Sequence, residues 1–430
     1  MKTISSFILF LFGSMSMVSA QWTLDACQQK AKANYPLIKK YSLIEQSKAY
    51  NLANAAKAWL PQFQLNARAT YQSEVTKIPI DFSQLSAIGL AIPDIPVPTK
   101  DQYQATLEAG QVLWDGGAIR AQQKLTQAGS EVEKNQWEVE MYALEERVNQ
   151  LFFGILLLDE QLKQNQLWID ELGRNATTVR HYIENGIANA SDGDVIRVEQ
   201  LNAGQIRTQL ASSRQAFVDM LGIMMGEKLT ENIALIKPQA DPAIRADLIL
   251  PVNRPELQLF EAQKNLYDSQ KSLIQSAYLP KLGLFLQGGY GRPGLNMLSD
   301  QFDLFYIGGV RLSWNFGALY THKNDLRKIA IHQSLVDTQR ELFLYNTALS
   351  VSRENREIER LRQLMRDDDE IIVLRENIRK ATEAKVANGT ATVTDWMREL
   401  TQENLARQIK ATHEVDLLMA IYNLKNTTNN

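Results

Sequence analysis

The 430-residue sequence predicts a mainly α-helical protein with a small β part, a tandem duplication of long antiparallel coiled-coil hairpins joined to two β-hairpins. Three observations predict it: the same short stretches recur in the same order in both halves, strand-length segments alternate apolar and polar residues, and long proline-free segments carry heptad spacing.

The duplication comes first. Ala58-Trp59-Leu60-Pro61 is answered by Ala277-Tyr278-Leu279-Pro280, 219 residues later. Trp114-Asp115-Gly116-Gly117-Ala118 is answered by Trp314-Asn315-Phe316-Gly317-Ala318 at a spacing of 200, and Asn185-Gly186-Ile187-Ala188 by Asn388-Gly389-Thr390-Ala391 at 203. Three matches in one order define two copies of a unit of about 200 residues. The spacing falls by 19 between the first two matches, so copy one carries an insertion between Pro61 and Trp114. It is the proline-rich "KIPIDFSQLSAIGLAIPDIPVPTKD", read as a long loop.

Residues 1–20 read as an export signal: Lys2, an apolar run from Phe7 to Phe12, and the small-residue cleavage site Val18-Ser19-Ala20. The first repeat then occupies 21–226, with a helix, a β-hairpin over about 62–114 and a coiled-coil hairpin over about 116–226. A polar, proline-punctuated linker covers 227–252. The second repeat, 253–430, has its β-hairpin over about 281–315 and its coiled-coil hairpin over about 318–425. Cys27 is the only cysteine, so packing alone must hold the exported chain. Leu24-Asp25-Ala26-Cys27 faintly resembles a lipid-attachment box, but Asp25 and the distant apolar run favour an ordinary packed helix residue.

In the strands, Phe63, Leu65, Ala67, Ala69 and Tyr71 alternate with Gln62, Gln64, Asn66, Arg68, Thr70 and Gln72. Leu282, Leu284, Leu286, Gly288 and Tyr290 repeat this in copy two, and the return strands carry Tyr103 to Ala109 and Tyr306 to Trp314. Strands of about ten residues, apolar on one face and polar on the other, have the length and pattern of membrane barrel strands. The long helices leave no separate core to cover such hairpins. Four strands cannot close a barrel, since the smallest have about eight, so transmembrane strands require an oligomer.

The helices follow. Leu144, Val148, Leu151, Ile155, Leu158, Leu162, Asn165, Ile169 and Leu172 form a heptad seam interrupted only by Asn165. The segment from about Ala118 to Glu184 lacks proline. A returning helix near Ser191 carries Ala203, Ile206, Leu210, Phe217 and Met220 on the same spacing. Copy two repeats the seam as Ile331, Leu335, Thr338, Leu342, Tyr345 and Leu349, with a return helix from about Thr394 to Asn423. Helical hairpins packed on these seams are expected.

Catalytic and metal constellations are absent from the sequence. The four histidines show no ligand spacing, and no phosphate loop or nucleophile elbow occurs, so neither enzyme activity nor a cofactor is expected. The net charge of −3 gives no reason to expect nucleic acid as partner. The run Asp367-Asp368-Asp369-Glu370 reads as a solvated face or inter-helix ion pairs. Asp192-Gly193-Asp194 suggests a calcium loop only until Ile196 and Val198 are found where side-chain oxygens are needed. The simpler reading is a hairpin tip: Asn185 or Gly186 ends one helix in the left-handed conformation, and Ser191 or Asp192 caps the next. Gly389 and Thr394-Asp395 do the same in copy two.

In this order and in duplicate, the Trp-Leu-Pro and Tyr-Leu-Pro stretches, the aromatic-glycine corners and the two tips strongly resemble the TolC-like outer membrane efflux protein family, over nearly the whole mature chain. The resemblance implies a homotrimer whose strands form one 12-stranded outer membrane barrel, continued by an α-helical barrel into a periplasmic tunnel. It implies a passive exit duct for efflux or type I secretion, with a periplasmic adaptor and an inner membrane pump as partners. The family's tip motif, glycine followed six positions later by aspartate, matches Gly186 with Asp192 and Gly389 with Asp395. By resemblance, Asn185, Gly186, Ile187 and Ala188, and Asn388, Gly389, Thr390 and Ala391, dock the adaptor, while Asp395 lines a pore constriction as a ring of three carboxylates. Some members carry a further acid where this chain has Arg398, and Asp192 or Asp194 is left as the first copy's contribution. The competing reading is a soluble periplasmic coiled-coil scaffold or adaptor.

Overall fold

The computed structural model describes residues 21–77, 97–239 and 251–429. The export signal, most of the proline-rich insertion and the end of the linker lie outside the described residues. In chain order the elements are β1 (Gln21–Trp22), α1 (Leu24–Asn34), α2 (Ile38–Ala56), β2 (Gln62–Tyr71), β3 (Asp101–Trp114), α3 (Ala118–Glu184) and α4 (Ala190–Met225). They continue as β4 (Ala234–Leu235), α5 (Pro255–Ala277), β5 (Lys281–Arg292), β6 (Asp303–Ser313), α6 (Leu319–Ala387) and α7 (Val393–Thr428). The two copies end in near-equal helix pairs, 67 and 36 residues in the first, 69 and 36 in the second. Among the described residues no helix is long and apolar enough to cross a membrane.

The chain divides into two compact units, and each draws on both copies. One comprises Tyr41–Gln136 and Glu256–Glu341, the other Met1–Lys40, Trp137–Pro255 and Leu342–Asn430.

The first unit holds an antiparallel sheet of order β2-β3-β5-β6. Each copy makes its own hairpin, and β3 and β5 join the hairpins with Ala105 opposite Tyr290 and Ala109 opposite Leu286. Strands β2 and β6 are left as edges. Because side chains alternate, this register puts Phe63, Leu65, Leu107, Leu286, Leu304 and Val310 on one face. They are uncovered, with Leu65 73% and Leu304 83% exposed. The opposite face carries Gln64, Asn66, Arg68, Glu108 and Arg311, with Arg311 3.1 Å from Glu108 and stacked 4.6 Å over Phe285. Two cross-strand glycines make room for aromatic rings on this face: a Cβ at Gly289 would lie 2.3 Å from Phe305 Cζ, and Gly309 sits opposite Phe285.

The corners that repeat in the sequence tie strand to helix. Asp115 is buried, its carboxylate accepting from the amides of Gly117 at 2.9 Å and Ile119 at 2.6 Å, which caps α3. Gly116 has φ +69° and lies so close to Leu279 that a side chain would collide. In copy two, Trp314 Nε1 donates to the Tyr278 carbonyl at 3.1 Å, so the tryptophan of one motif holds the tyrosine-leucine-proline of the other.

The second unit is built on the α3 seam. Leu144, Val148, Ile155, Asn165, Leu172 and Val179 are all at most 3% exposed. Leu24 and Cys27 of α1 join Phe152, Phe153, Leu221 and Val415 in one core. The stretch read as a pure linker contributes β4, which pairs in parallel with β1. Arg214 fixes it by bonding Asp159 and the carbonyls of Glu231 and Ile233. The acidic run forms inter-helix pairs, as expected: Asp368 meets His413 Nδ1 at 2.7 Å and Asp369 meets Lys410.

One expectation fails. The seam on α6 does not pack within the chain: Ile331, Leu335, Leu342, Tyr345 and Leu349 are 53 to 63% exposed. Heptad spacing marks an apolar stripe but does not say whose stripe meets it.

Candidate functional site: the paired hairpin tips

Both tips close by the same bonds. Gly186 has φ +73° and Gly389 φ +69°, so each helix ends in the left-handed turn that favours glycine. The Ile187 amide donates to the Tyr182 carbonyl at 2.8 Å, and the Thr390 amide to the Lys385 carbonyl at 2.8 Å. Asn185 Nδ2 donates to the His181 carbonyl at 2.7 Å, and Asn388 Nδ2 to that of Ala384 at 2.8 Å. A side chain on either glycine would meet nothing within 4 Å, so both turns are open. Ile187 is 46% exposed, whereas Ala188 and Ala391 pack against the core beneath. That core joins the tips, with Val179 and Ile196 from one hairpin and Val393, Trp396 and Met397 from the other.

The helix starts differ from expectation by two or three residues. The caps are Asn189 and Thr392, not Ser191, Asp192 or Thr394. Asp192 and Asp395 occupy the third helical position and reach back: Asp192 Oδ2 accepts from the Asn189 amide at 2.9 Å, Asp395 Oδ2 from the Thr392 amide at 3.2 Å and hydroxyl at 2.7 Å. The Asp395 amide in turn donates to Thr392 Oγ1 at 3.1 Å, completing a capping box. The signal was in the sequence as Asn-x-x-Asp and Thr-x-x-Asp, polar cap and acid three apart.

The four charged residues are therefore not equivalent. Asp192 is buried and held by its cap. Asp194, two residues on, is exposed and makes no hydrogen bond or ion pair among the described residues. Asp395 is half-exposed, with Oδ1 3.4 Å from Arg398 Nη2. The Thr392 hydroxyl and amide, aided by the Arg398 charge, hold its carboxyl below the usual carboxylate range. Arg398 is exposed and also lies 3.3 Å from Glu399.

Elsewhere, no group of three His, Cys, Asp or Glu side chains among the described residues is placed to hold a metal. Cys27 is fully buried in the core beneath α1, and burial pushes its thiol up to about 12.

Against known proteins, residues 27–226 match the family model described as outer membrane efflux protein. The first copy thus matches the outer membrane efflux protein family that the sequence resembles. No curated protein matches it by sequence. Among solved structures, the chain is similar to the outer-membrane channel OprN, with TM-score 0.68 and 12% identity over 94% of this chain and 89% of that one. It is similar to the outer membrane protein VceC of Vibrio cholerae, with TM-score 0.67 and 12% identity over 93% and 94%. The CmeC outer membrane channel of Campylobacter jejuni gives TM-score 0.65 and 12% identity over 94% and 85%. At such identity these likenesses establish the shared fold, and they extend it over both copies of the chain.

Proposed function

We propose that the chain assembles as a homotrimeric outer membrane channel-tunnel, the passive exit duct of a tripartite efflux or type I secretion system. The observation that carries this reading is the sheet: four strands with an uncovered apolar face and two unpaired edges. An open edge is not tolerated in lipid, and four strands are half of the smallest closed barrels of about eight. Three copies joined through β2 and β6 give a closed barrel of twelve strands, with the face of Phe63, Leu65 and Leu286 toward lipid and that of Arg68 and Glu108 toward the lumen. The exposed stripe on α6 supports the same assembly, because a second copy is a natural partner for a heptad seam left open by its own chain. The soluble-scaffold reading leaves both surfaces facing water.

In this assembly the helices continue the barrel as a periplasmic tunnel. The open glycine turns, with Asn185, Gly186, Ile187 and Ala188 in one tip and Asn388, Gly389, Thr390 and Ala391 in the other, receive the hairpins of a periplasmic adaptor, and an inner membrane pump supplies the energy. Asp395 and Asp194 face the constriction, with Arg398 partly neutralising Asp395. Asp192 is committed to its cap.

Two measurements test this. The protein should require detergent for extraction and then run as a trimer by light scattering; a soluble monomer refutes the duct. In planar bilayers, Asp395→Ala should weaken cation preference and Arg398→Ala should strengthen it. Unchanged selectivity in both removes the carboxylate ring while leaving the channel in place.

A further inference from the structure

A cavity of about 360 Å³ opens between α3, α4, α6 and α7. It is bounded by one chain, so it stands apart from the channel reading. Asn165, the residue that interrupts the α3 seam, lines it at 1% exposure, and neither its carboxamide oxygen nor its nitrogen has a hydrogen-bond partner. A buried amide left unpaired is costly, and a seam position serving only packing would hold an aliphatic side chain. Asp416 of α7 also lines the cavity and makes no hydrogen bond or ion pair among the described residues. Burial pushes its carboxyl above the ordinary range, although the nearby His413 and Arg360 pull it back.

Of the other polar groups of the cavity, Gln161 makes no hydrogen bond among the described residues, Gln408 donates to Asn404 Oδ1 at 3.5 Å, and the remaining three are engaged. His413 Nδ1 is on Asp368 at 2.7 Å, Arg360 Nε on Glu357 at 2.9 Å, and the Thr412 hydroxyl on the Gln408 carbonyl at 3.1 Å. Ile206, Leu210, Leu405 and Ile409 supply an apolar wall. The cavity thus offers one carboxylate without a hydrogen-bond partner, one buried amide needing both a donor and an acceptor, and aliphatic surface between.

We propose that this cavity is a binding site for a short alkylammonium ion that also carries a hydroxyl or carbonyl oxygen. The ammonium donates to Asp416, the oxygen accepts from Asn165 Nδ2, and the alkyl chain lies against Ile206 and Ile409. Water could satisfy the amide but would bring the Asp416 carboxylate no charge-assisted donor, since Arg360 and His413 make their hydrogen bonds to other carboxylates.

The test titrates the full-length protein in detergent with aminohexanol, hexylamine and hexanediol, followed by calorimetry with matched micelle blanks. Saturable binding is expected with aminohexanol tightest, since it alone meets both groups. Asp416→Asn should weaken aminohexanol by about tenfold or more, the loss of a charge-assisted hydrogen bond. Asn165→Leu should abolish the preference for aminohexanol over hexylamine while leaving hexylamine bound. The wild-type series decides the matter even if a variant misfolds: hexanediol binding as tightly as aminohexanol, or no saturable binding of aminohexanol, overturns the proposal. Equal aminohexanol affinity in wild type and a folded Asp416→Asn overturns it too.

Discussion

Glu403→Gln should loosen the α6–α7 pair far more than any exposed charge removal on the same helices. Glu403 is 5% exposed and accepts from Arg379 Nε at 2.7 Å on one oxygen and from Arg407 Nη2 at 2.7 Å and Nε at 3.1 Å on the other. Glutamine keeps the shape but presents one acceptor, and turns an NH2 group toward a guanidinium. Breaking a buried ion pair typically costs about 3 to 5 kcal/mol. Here each arginine retains a second carboxylate, Glu383 at 2.8 Å from Arg379 and Glu376 at 3.6 Å from Arg407. The expected loss is therefore smaller, about 2 to 3 kcal/mol, one charge-assisted hydrogen bond plus a misplaced donor. Amide hydrogen exchange around residues 379 and 403 reads this locally, with acceleration of about thirty- to a hundred-and-fortyfold expected. The control is Glu383→Gln, whose side chain is 45% exposed in an i,i+4 pair and should change exchange by less than about threefold. Equal exchange in the two variants would refute the idea that burial, and not the mere presence of an ion pair, sets the contribution.

Three further outcomes follow from the geometry. Thr392→Ala removes both hydrogen bonds of the hydroxyl, one of them half of the capping box, while the backbone amide keeps its bond to Asp395, and should destabilise the start of α7 by about 1 kcal/mol, read as faster exchange at the Val393 to Asp395 amides; no change would mean that solvent replaces the cap. Cys27, buried with its thiol pushed up to about 12, should resist iodoacetamide at pH 9 in the folded protein and react fully once denatured; native-state alkylation at the denatured rate would contradict its burial. Glu171 has its carboxyl raised by burial and by the nearby Glu403, so the folded state holds its proton over a window where the unfolded chain has lost it. Stability from this group is thus greatest at low pH and falls as pH rises from its ordinary value of 4.5 through the raised folded one, and Glu171→Gln should flatten urea stability across that window.

Much of the fold was legible because its signals are local. Gly186 and Gly389 needed only a position after a helix, and the alternation from Gln62 to Tyr71 needed only a period of two. The caps were misplaced at Ser191 and Thr394 because several polar residues follow each glycine; only the reach of Asp192 and Asp395 back to an amide three positions earlier distinguishes Asn189 and Thr392. The inequality of Asp192 and Asp194 was likewise hidden, since burial depends on how Ile196 and Trp396 bring the two tips onto one core.

The sequence by itself determined the duplication, the order and type of the long elements, the turn chemistry at both tips and the resemblance to a family. These depend on periodicity, glycine conformation and motif order, which short segments carry within themselves. The tertiary structure decided that β3 joins β5, that the α3 seam is buried while the α6 seam stays open, and that Asn165 and Asp416 line one cavity without partners. Those outcomes compare one surface with all others available to it. An apolar stripe or a polar side chain is the same in sequence whether its partner is its own chain, another copy or a ligand.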